Sequence, residues 1–382
     1  MHRCPYCMRQ SETVICPHCG KSANVPQNSS MLPVGSIISG GSGQQYQIGA
    51  PLGQGGFGIT YVGLDCTLGR RVAIKEYFPT RCAWRTEDHR VVPRQGMEDI
   101  YRGGIKSFLE EARMLAALED NPSVVKVRGF FEYSGTAYLI MEYLDGMALS
   151  SIVSKNGPMS AKELLPKLDV FLSDLHRLHQ SGVIHRDIGP DNVMLMPDGT
   201  LKLLDFGCAR SMEDGKSMTV LVKEGFAPVE QYMSRGQGAY TDVYALSATI
   251  YYTLTGVIPP SSVARLEEDT IKSPNAAGAK LTPEQEEALM WGLTVQPKFR
   301  PVNMEVFAAR LLAPAAASDD RDDGRCGGKD CPLPPTTLGL KIKYSVLEPL
   351  QAGAKKAWAA LLNASMKLAE YAKDALSRIG KK

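Results

Sequence analysis

The chain has 382 residues, of which 44% are hydrophobic and 22% charged, and its formal net charge is +2. This is the balance of a globular protein with room for one large or two medium domains plus tails, and it carries no clear nucleic-acid signal. No apolar run approaches the length of a membrane span, and the start, Met1-His2-Arg3-Cys4-Pro5, lacks the apolar core of a secretory signal, so a cytoplasmic location is expected.

Residues 1–20 hold two CxxC pairs, Cys4-Pro5-Tyr6-Cys7 and Cys16-Pro17-His18-Cys19, among nine cysteines in all. In a reducing compartment such pairs point to metal rather than to disulfides. A two-residue gap lets both thiolates of a pair reach one ion, and two such turns complete a tetrahedral sulfur site. The segment resembles a short zinc ribbon, with Cys4, Cys7, Cys16 and Cys19 holding Zn2+ and His18 exposed or supporting rather than ligating. So small a unit has almost no core, so zinc would supply much of its folding energy. Ribbons of this kind serve as contact modules for a protein partner or for nucleic acid, and the sequence leaves that choice open. Residues 21–45, rich in Ser, Gly, Asn, Gln and Pro, read as a flexible linker.

Residues 46–312 alternate strand-like and helix-like patterns, with no internal repeat. Gly53-Gln54-Gly55-Gly56-Phe57-Gly58 matches GxGxxG, and the stretch that follows, Ile59-Thr60-Tyr61-Val62-Gly63-Leu64, continues as a strand. A dinucleotide-binding fold would place a helix there. A glycine hairpin between strands can lie close over phosphates, offering backbone N–H groups without side chains in the way. Val72-Ala73-Ile74-Lys75 then presents Lys75 from a strand, in reach of the α- and β-phosphates. A long stretch follows, with Trp84, His89 and the glycines Gly103-Gly104, which read as a turn. It is expected to be an insertion, either a docking or regulatory loop or a passive surface loop. Phe108, Ala112 and Leu115 then mark the apolar face of a helix carrying Glu110 and Glu111.

His185-Arg186-Asp187-Ile188-Gly189-Pro190-Asp191-Asn192 and Asp205-Phe206-Gly207 supply the chemistry. Asp187 can orient a hydroxyl, and Asn192 and Asp205 are hard oxygen ligands suited to Mg2+ on ATP.

With these motifs in place, residues 46–312 resemble the eukaryotic-type (bacterial Hanks-type) serine/threonine protein kinases. Lys75-Glu76-Tyr77-Phe78-Pro79 and Gly225-Phe226-Ala227-Pro228-Val229-Glu230-Gln231-Tyr232 are similar to the bacterial branch. The resemblance implies an α+β, two-lobed protein kinase fold: a β-rich N-lobe, a helical C-lobe and ATP in the cleft between them. It implies that Glu111, which directly precedes Ala112, pairs with Lys75. It implies Met141 as gatekeeper, backbone groups near Glu142 and Leu144 on the adenine edge, and Ala73 and Met194 on either side of the ring. Gly53, Gly55, Gly56, Phe57 and Gly58 would cover the phosphates. Asp187 would take the proton of the substrate hydroxyl, and Arg186 would grip a phosphate on the activation segment, with Ser211, Ser217 and Thr219 as acceptors and autophosphorylation expected at Ser217 or Thr219. Asp242 would hold the catalytic-loop backbone, Arg300 would pair with Glu230 in the interior, and Cys208 would be a small core residue.

Three features depart from that pattern. Gly189 stands where these kinases place a lysine on the γ-phosphate. The usual Gly-Thr before Ala-Pro-Glu is absent. Val229 splits Ala-Pro from Glu. Lys202, Arg210 or Lys223 are the candidates to replace the missing cation. The rival reading is a pseudokinase acting as a scaffold or ATP-dependent switch. Lys75, Glu111, Asp187, Asn192 and Asp205 together favour an active kinase on Ser/Thr of protein substrates.

Residues 313–340 read as a second, disordered linker, in which Cys326 and Cys331 have no partner pair. Residues 341–382 carry nine Lys/Arg against three Asp/Glu. Trp358, Leu361, Leu362, Leu368, Ala372, Leu376 and Ile379 share one face of a basic amphipathic helix, fitted either to an anionic membrane surface, which would be the inner one, or to packing on the kinase lobe or on a partner helix.

Overall fold

The computed structural model describes residues 2–41, 43–205, 210–211, 223–233 and 236–313. Phe206, Gly207, Cys208, Ser217 and Thr219, the side chains of Arg210 and Ser211, both cysteines of the second linker and the basic helix 341–382 fall outside them.

The first twenty residues form two turns closed by a small antiparallel pair, β1 (His2–Arg3) and β2 (Gln10–Ser11). A six-stranded antiparallel sheet follows, made from β3 (Ile37–Ser39), β4 (Gln45–Gln54), β5 (Gly58–Asp65), β6 (Arg70–Tyr77), β9 (Val127–Tyr133) and β10 (Thr136–Glu142), in the order β3-β4-β5-β6-β10-β9. Central strand β10 is buried from Thr136 to Met141, because sheet neighbours and α1 (Glu98–Ala116) cover it on both sides.

Between β6 and α1 runs a two-stranded hairpin, β7 (Ala83–Arg85) and β8 (Val91–Pro93). It is tied into the interior. Arg85 Nη2 donates to Glu76 Oε2 at 2.6 Å and Arg85 Nε to Ser30 O at 2.9 Å. Glu76 is fully buried and also accepts from Tyr61 Oη at 3.0 Å and Tyr138 Oη at 2.8 Å. A buried carboxylate with three donors is satisfied, and the hairpin is thereby anchored rather than a loose surface loop.

Two expectations change here. Gly103 and Gly104 are not a turn; they lie inside α1, which starts at Glu98, ten residues before the apolar pattern becomes clear. A Cβ on Gly104 would overlap Tyr77 Oη, so the glycine lets the helix approach β6. The stretch 21–45 is not flexible throughout. Leu32 is buried, its N–H donates to Tyr61 Oη at 3.0 Å, and Ile37–Ser39 pairs with β4.

The second lobe begins with β11 (Met147–Ala148), α2 (Leu149–Asn156) and α3 (Ala161–Gln180), where Glu163 Oε2 accepts from the Ser160 N–H at 3.1 Å and caps the helix start. Short strands β12 (Val183–Ile184), β13 (Val193–Leu195), β14 (Leu201–Leu203) and β15 (Arg210–Ser211) carry the segments beneath the cleft. The rest is helical: α4 (Val229–Tyr232), α5 (Ala239–Thr255), α6 (Ala264–Glu267), α7 (Pro283–Gly292) and α8 (Met304–Leu311). Helix α5 is apolar almost all round and sits at the lobe's centre; the hydroxyls of Ser247, Thr249, Thr253 and Thr255 are satisfied by carbonyls four residues back, as for Ser247 to Val243 O at 2.7 Å. No helix among the described residues is long and apolar enough to cross a membrane.

Candidate active site

The site is built where the two lobes meet. Lys75 lies on β6, opposite Thr60 of β5 and Leu139 of β10. Its Nζ lies 3.8 Å from Glu111 Oε1, and Asp205 takes a closer place on the same ammonium. Glu110, one residue away, points outward and faces Lys106. Burial pushes the Glu111 carboxyl up to about 7, with Lys75 pulling against it and Asp205 adding to it.

The catalytic loop hangs on one buried residue. Asp242 of α5 is fully buried. Its Oδ2 accepts from the His185 N–H and from His179 Nε2, and its Oδ1 from the Arg186 N–H, each at 2.8 Å. Burial pushes this carboxyl up, but those donors more than offset it and hold it below the ordinary aspartate value. Arg186 adopts a left-handed backbone (φ 67°), which this clamp and the amide of Gln231 on its carbonyl hold in place. His185 Nδ1 accepts from the Asp187 N–H at 3.2 Å, so Nε2 carries the proton and donates to Leu204 O at 3.0 Å. One imidazole thus links the catalytic loop to the residue before Asp205.

Asn192 Nδ2 donates to Asp187 Oδ2 at 2.9 Å and to Asp187 O at 2.8 Å. The amide nitrogen is consumed on Asp187, so Oδ1 is the atom Asn192 has left for a cation. Burial pushes the Asp187 carboxyl up; His185, Lys223 and the Asn192 bond pull it down and Asp205 pushes it further up, leaving it above the usual range. Asp205, half-exposed, also has a left-handed backbone (φ 48°). The segment that Arg186 would meet lies outside the described residues.

The residues expected to bind the nucleotide divide between the lobes. Ala73 sits on β6 beside Val62 and Met141, while Met194 sits on β13 of the second lobe. The Glu142 N–H is taken by Lys126 O at 2.9 Å, so an adenine edge is left the Glu142 carbonyl and the Leu144 backbone. The Gly53–Gly58 turn is held by the Gly55 N–H on Gly58 O at 2.9 Å and the Phe78 N–H on Phe57 O at 3.0 Å. Gly53, Gly55, Gly56 and Phe57 are exposed along it. Gly53 and Gly55 have open space where a Cβ would be, whereas a Cβ on Gly58 would overlap Glu76 O. Lys202 donates to Glu142 at 2.6 Å, which removes it from the list of replacement cations; Lys223 lies against Gly189 and pairs with Asp191.

The Arg300–Glu230 pair forms in the interior, with Nη1 to Oε1 at 2.8 Å and Nη2 to Oε2 at 3.3 Å. Arg300 also donates to Thr294 O, Val295 O and Tyr240 O.

The four ribbon thiols converge. All four Sγ atoms lie within 4.8 Å of one another, with Cys4–Cys19 and Cys7–Cys16 each at 3.6 Å. A tetrahedral zinc–thiolate site has sulfur–sulfur edges of about 3.8 Å, so the spacing fits. The ribbon also docks on the first lobe. The Ala50 N–H donates to Pro5 O at 2.7 Å, and Met8 packs with Val62, Leu64 and Tyr143. Gly49 makes this possible, because a Cβ there would overlap Pro5 O. Sequence reasoning missed this contact, and Gly49 was its one visible sign.

Residues 46–291 match the protein kinase domain family. The chain is 30% identical over 235 residues to a probable serine/threonine-protein kinase PknB of Lactococcus lactis, covering 60% of this chain and 34% of that protein. It is 32% identical over 274 residues to serine/threonine-protein kinase PknB of Mycobacterium tuberculosis, covering 67% and 40%. It thus spans about a third of the length of the curated relatives it matches. Among solved structures it resembles PpkA-294 in its apo form, with a TM-score of 0.65 and 32% identity, covering 74% of this chain and all of that one. With the catalytic loop, the Lys75–Glu111 pair and the Asp242 clamp formed on this two-lobed fold, and the family match running through most of residues 46–312, the chain belongs to the protein kinase family.

Proposed function

We propose that this chain is an ATP-dependent protein kinase that transfers the γ-phosphate to serine or threonine of protein substrates. The observation that carries the reading is the convergence of Lys75, Glu111, Asp187, Asn192 and Asp205 on one cleft. Lys75 positions the nucleotide's α- and β-phosphates, and Glu111 backs it. Asn192 Oδ1 and the Asp205 carboxylate fit Mg2+, a hard cation that neutralises phosphate charge when bound. The substrate hydroxyl hydrogen-bonds to Asp187, its oxygen attacks the γ-phosphorus, and its proton passes to the Asp187 carboxylate. The bond to the β-phosphate oxygen breaks and ADP leaves.

Zinc is the metal best suited to the Cys4, Cys7, Cys16 and Cys19 thiolates, by donor type and spacing. It would be structural, since four protein ligands leave no open position. Protein substrates follow from the names of the relatives, all serine/threonine-protein kinases.

The test is transfer of labelled phosphate from Mg-ATP to the chain itself and to a generic basic protein, with Asp187→Asn as control. Label on Ser or Thr in the wild type only is expected. Equal label in both proteins sinks catalysis through Asp187.

A further inference from the structure

Two residues after Asp187 the catalytic loop carries Gly189, which has no side chain. The volume a Cβ would fill is lined by Lys223: its Nζ stands 3.0 Å from that position, its Cδ 3.3 Å and its Cε 3.5 Å. Gly189 is buried, with Lys223 lying against it. Lys223 comes from a different segment, just ahead of Gly225-Phe226-Ala227-Pro228. Its ammonium is placed by two groups, the Asp191 carboxylate and the face of the Phe226 ring, 5.5 Å from the ring centroid. Asp191 is 59% exposed. An ion pair that open to water is weak, so a more highly charged anion can draw the ammonium over.

Two other lysines of the cleft, among the described residues, are committed elsewhere. Lys202 is held by Glu142, and Lys75 by Asp205 and Glu111. The field of Lys223 reaches the reacting carboxylate, pulling Asp187 down against burial.

We propose that Lys223 is a catalytic residue: the cation that meets the γ-phosphoryl group during transfer, delivered from the activation segment into the place Gly189 leaves open. The inference rests on the kinase reading above. In the step, the hydroxyl oxygen bonds to the γ-phosphorus, its proton goes to Asp187, and the bond to the β-phosphate oxygen breaks. Negative charge on the transferring oxygens lies beside Asp187, within reach of an ammonium already docked on the same loop. Asp191 is a positioning residue that holds Nζ between turnovers. Because Lys223 belongs to the segment and not to the loop, the site gains this cation only when that segment is in place.

The test compares steady-state phosphorylation by wild type, Lys223→Met, Gly189→Lys and the double variant, with Asp187→Asn as the blank. Removing one such charge typically lowers kcat by roughly 10²-fold or more. That loss is expected for Lys223→Met, with KM for ATP changed little. Gly189→Lys in the Lys223→Met background should recover at least about tenfold, since Gly189 has no left-handed backbone and the Nζ that stood nearest its Cβ position is then gone. Thermal unfolding of all variants shows whether the fold is kept. A Lys223→Met kcat within about threefold of wild type, or a loss that Gly189→Lys does not recover in a folded protein, overturns the assignment. If wild type transfers no more phosphate than the Asp187→Asn blank, it is the kinase reading that has failed, and that result is seen before Lys223 is touched.

Discussion

Glu111 Oε1 stands 3.8 Å from Lys75 Nζ, an ion-pair distance too long for a hydrogen bond, while Asp205 lies closer to the same ammonium. Among the described residues, no hydrogen-bond donor reaches this buried Glu111 oxygen. That geometry explains why burial outweighs the lysine and lifts the carboxyl to about 7.

The sign of its pH effect follows. The folded value lies above the ordinary glutamate value, so between that value and about 7 the folded chain keeps a proton that the unfolded chain has lost. Stability from this group is therefore lost as pH rises through that window. Glu111→Gln should melt higher than wild type at pH 8, with the gap closing towards about pH 4.5, while phosphate transfer falls. Thermal unfolding of both proteins across that range checks it, and parallel curves would count against the raised value.

Glu76, next to Lys75 in the chain, depends on Arg85 of the hairpin. Removing one partner of a buried pair leaves the other charge uncompensated, at a cost of about 3–5 kcal/mol. Arg85→Met should lower stability by about that much in urea unfolding. Glu76→Gln in the same chain should recover part of it, since it removes the uncompensated charge and its single amide oxygen still accepts from one of Tyr61 and Tyr138, which donate to separate carboxylate oxygens in the wild type. An unchanged midpoint for Arg85→Met would show the hairpin to be dispensable.

These two sites differ in how far the sequence shows them. Lys75, Asp187, Asn192 and Asp205 are legible because phosphoryl transfer needs particular donors at nearly fixed spacing along short segments. Glu111 is legible only through the alanine beside it. Arg85 is not legible at all: its partner sits on β6, and nothing in Ala83-Trp84-Arg85 distinguishes a buried arginine from a solvated one. Gly103-Gly104 misleads for a related reason. Paired glycines weaken a helix locally, and only the approach of Tyr77 explains why the helix runs through them. Lys223 against Gly189 is a contact between distant segments, visible in sequence only as one candidate among three.

The ribbon offers a test of its metal and of its docking together. One zinc per chain is expected by elemental analysis, with loss on chelation or in Cys4→Ser/Cys7→Ser. Because Met8 packs on Val62, Leu64 and Tyr143, releasing the metal should also destabilise the first lobe. Exposing a buried methionine alone is worth about 1.5–3 kcal/mol. If the lobe unfolds at the same temperature with and without metal, the ribbon is an independent appendage.

Adjacent glycines in α1 should respond in opposite directions. Replacing glycine with alanine inside an exposed helix gains about 1 kcal/mol from propensity. At Gly103 nothing lies within 4 Å of the added methyl, so Gly103→Ala should stabilise. At Gly104 the methyl overlaps Tyr77 Oη and approaches Tyr77 Cζ to 2.6 Å, so the helix must move away from β6 or the ring must turn. Gly104→Ala should therefore destabilise, by about 1–3 kcal/mol if the core relaxes as overpacked cores do. The same displacement would shift Glu111, which rides on this helix, away from Lys75, so phosphate transfer should fall in Gly104→Ala and hold in Gly103→Ala. Tyr77→Ala in the Gly104→Ala background should restore activity more than it restores stability, because it frees the helix to return while opening a cavity in the core. Equal effects of the two alanines on stability would mean that backbone propensity, and not the approach of Tyr77, governs this helix.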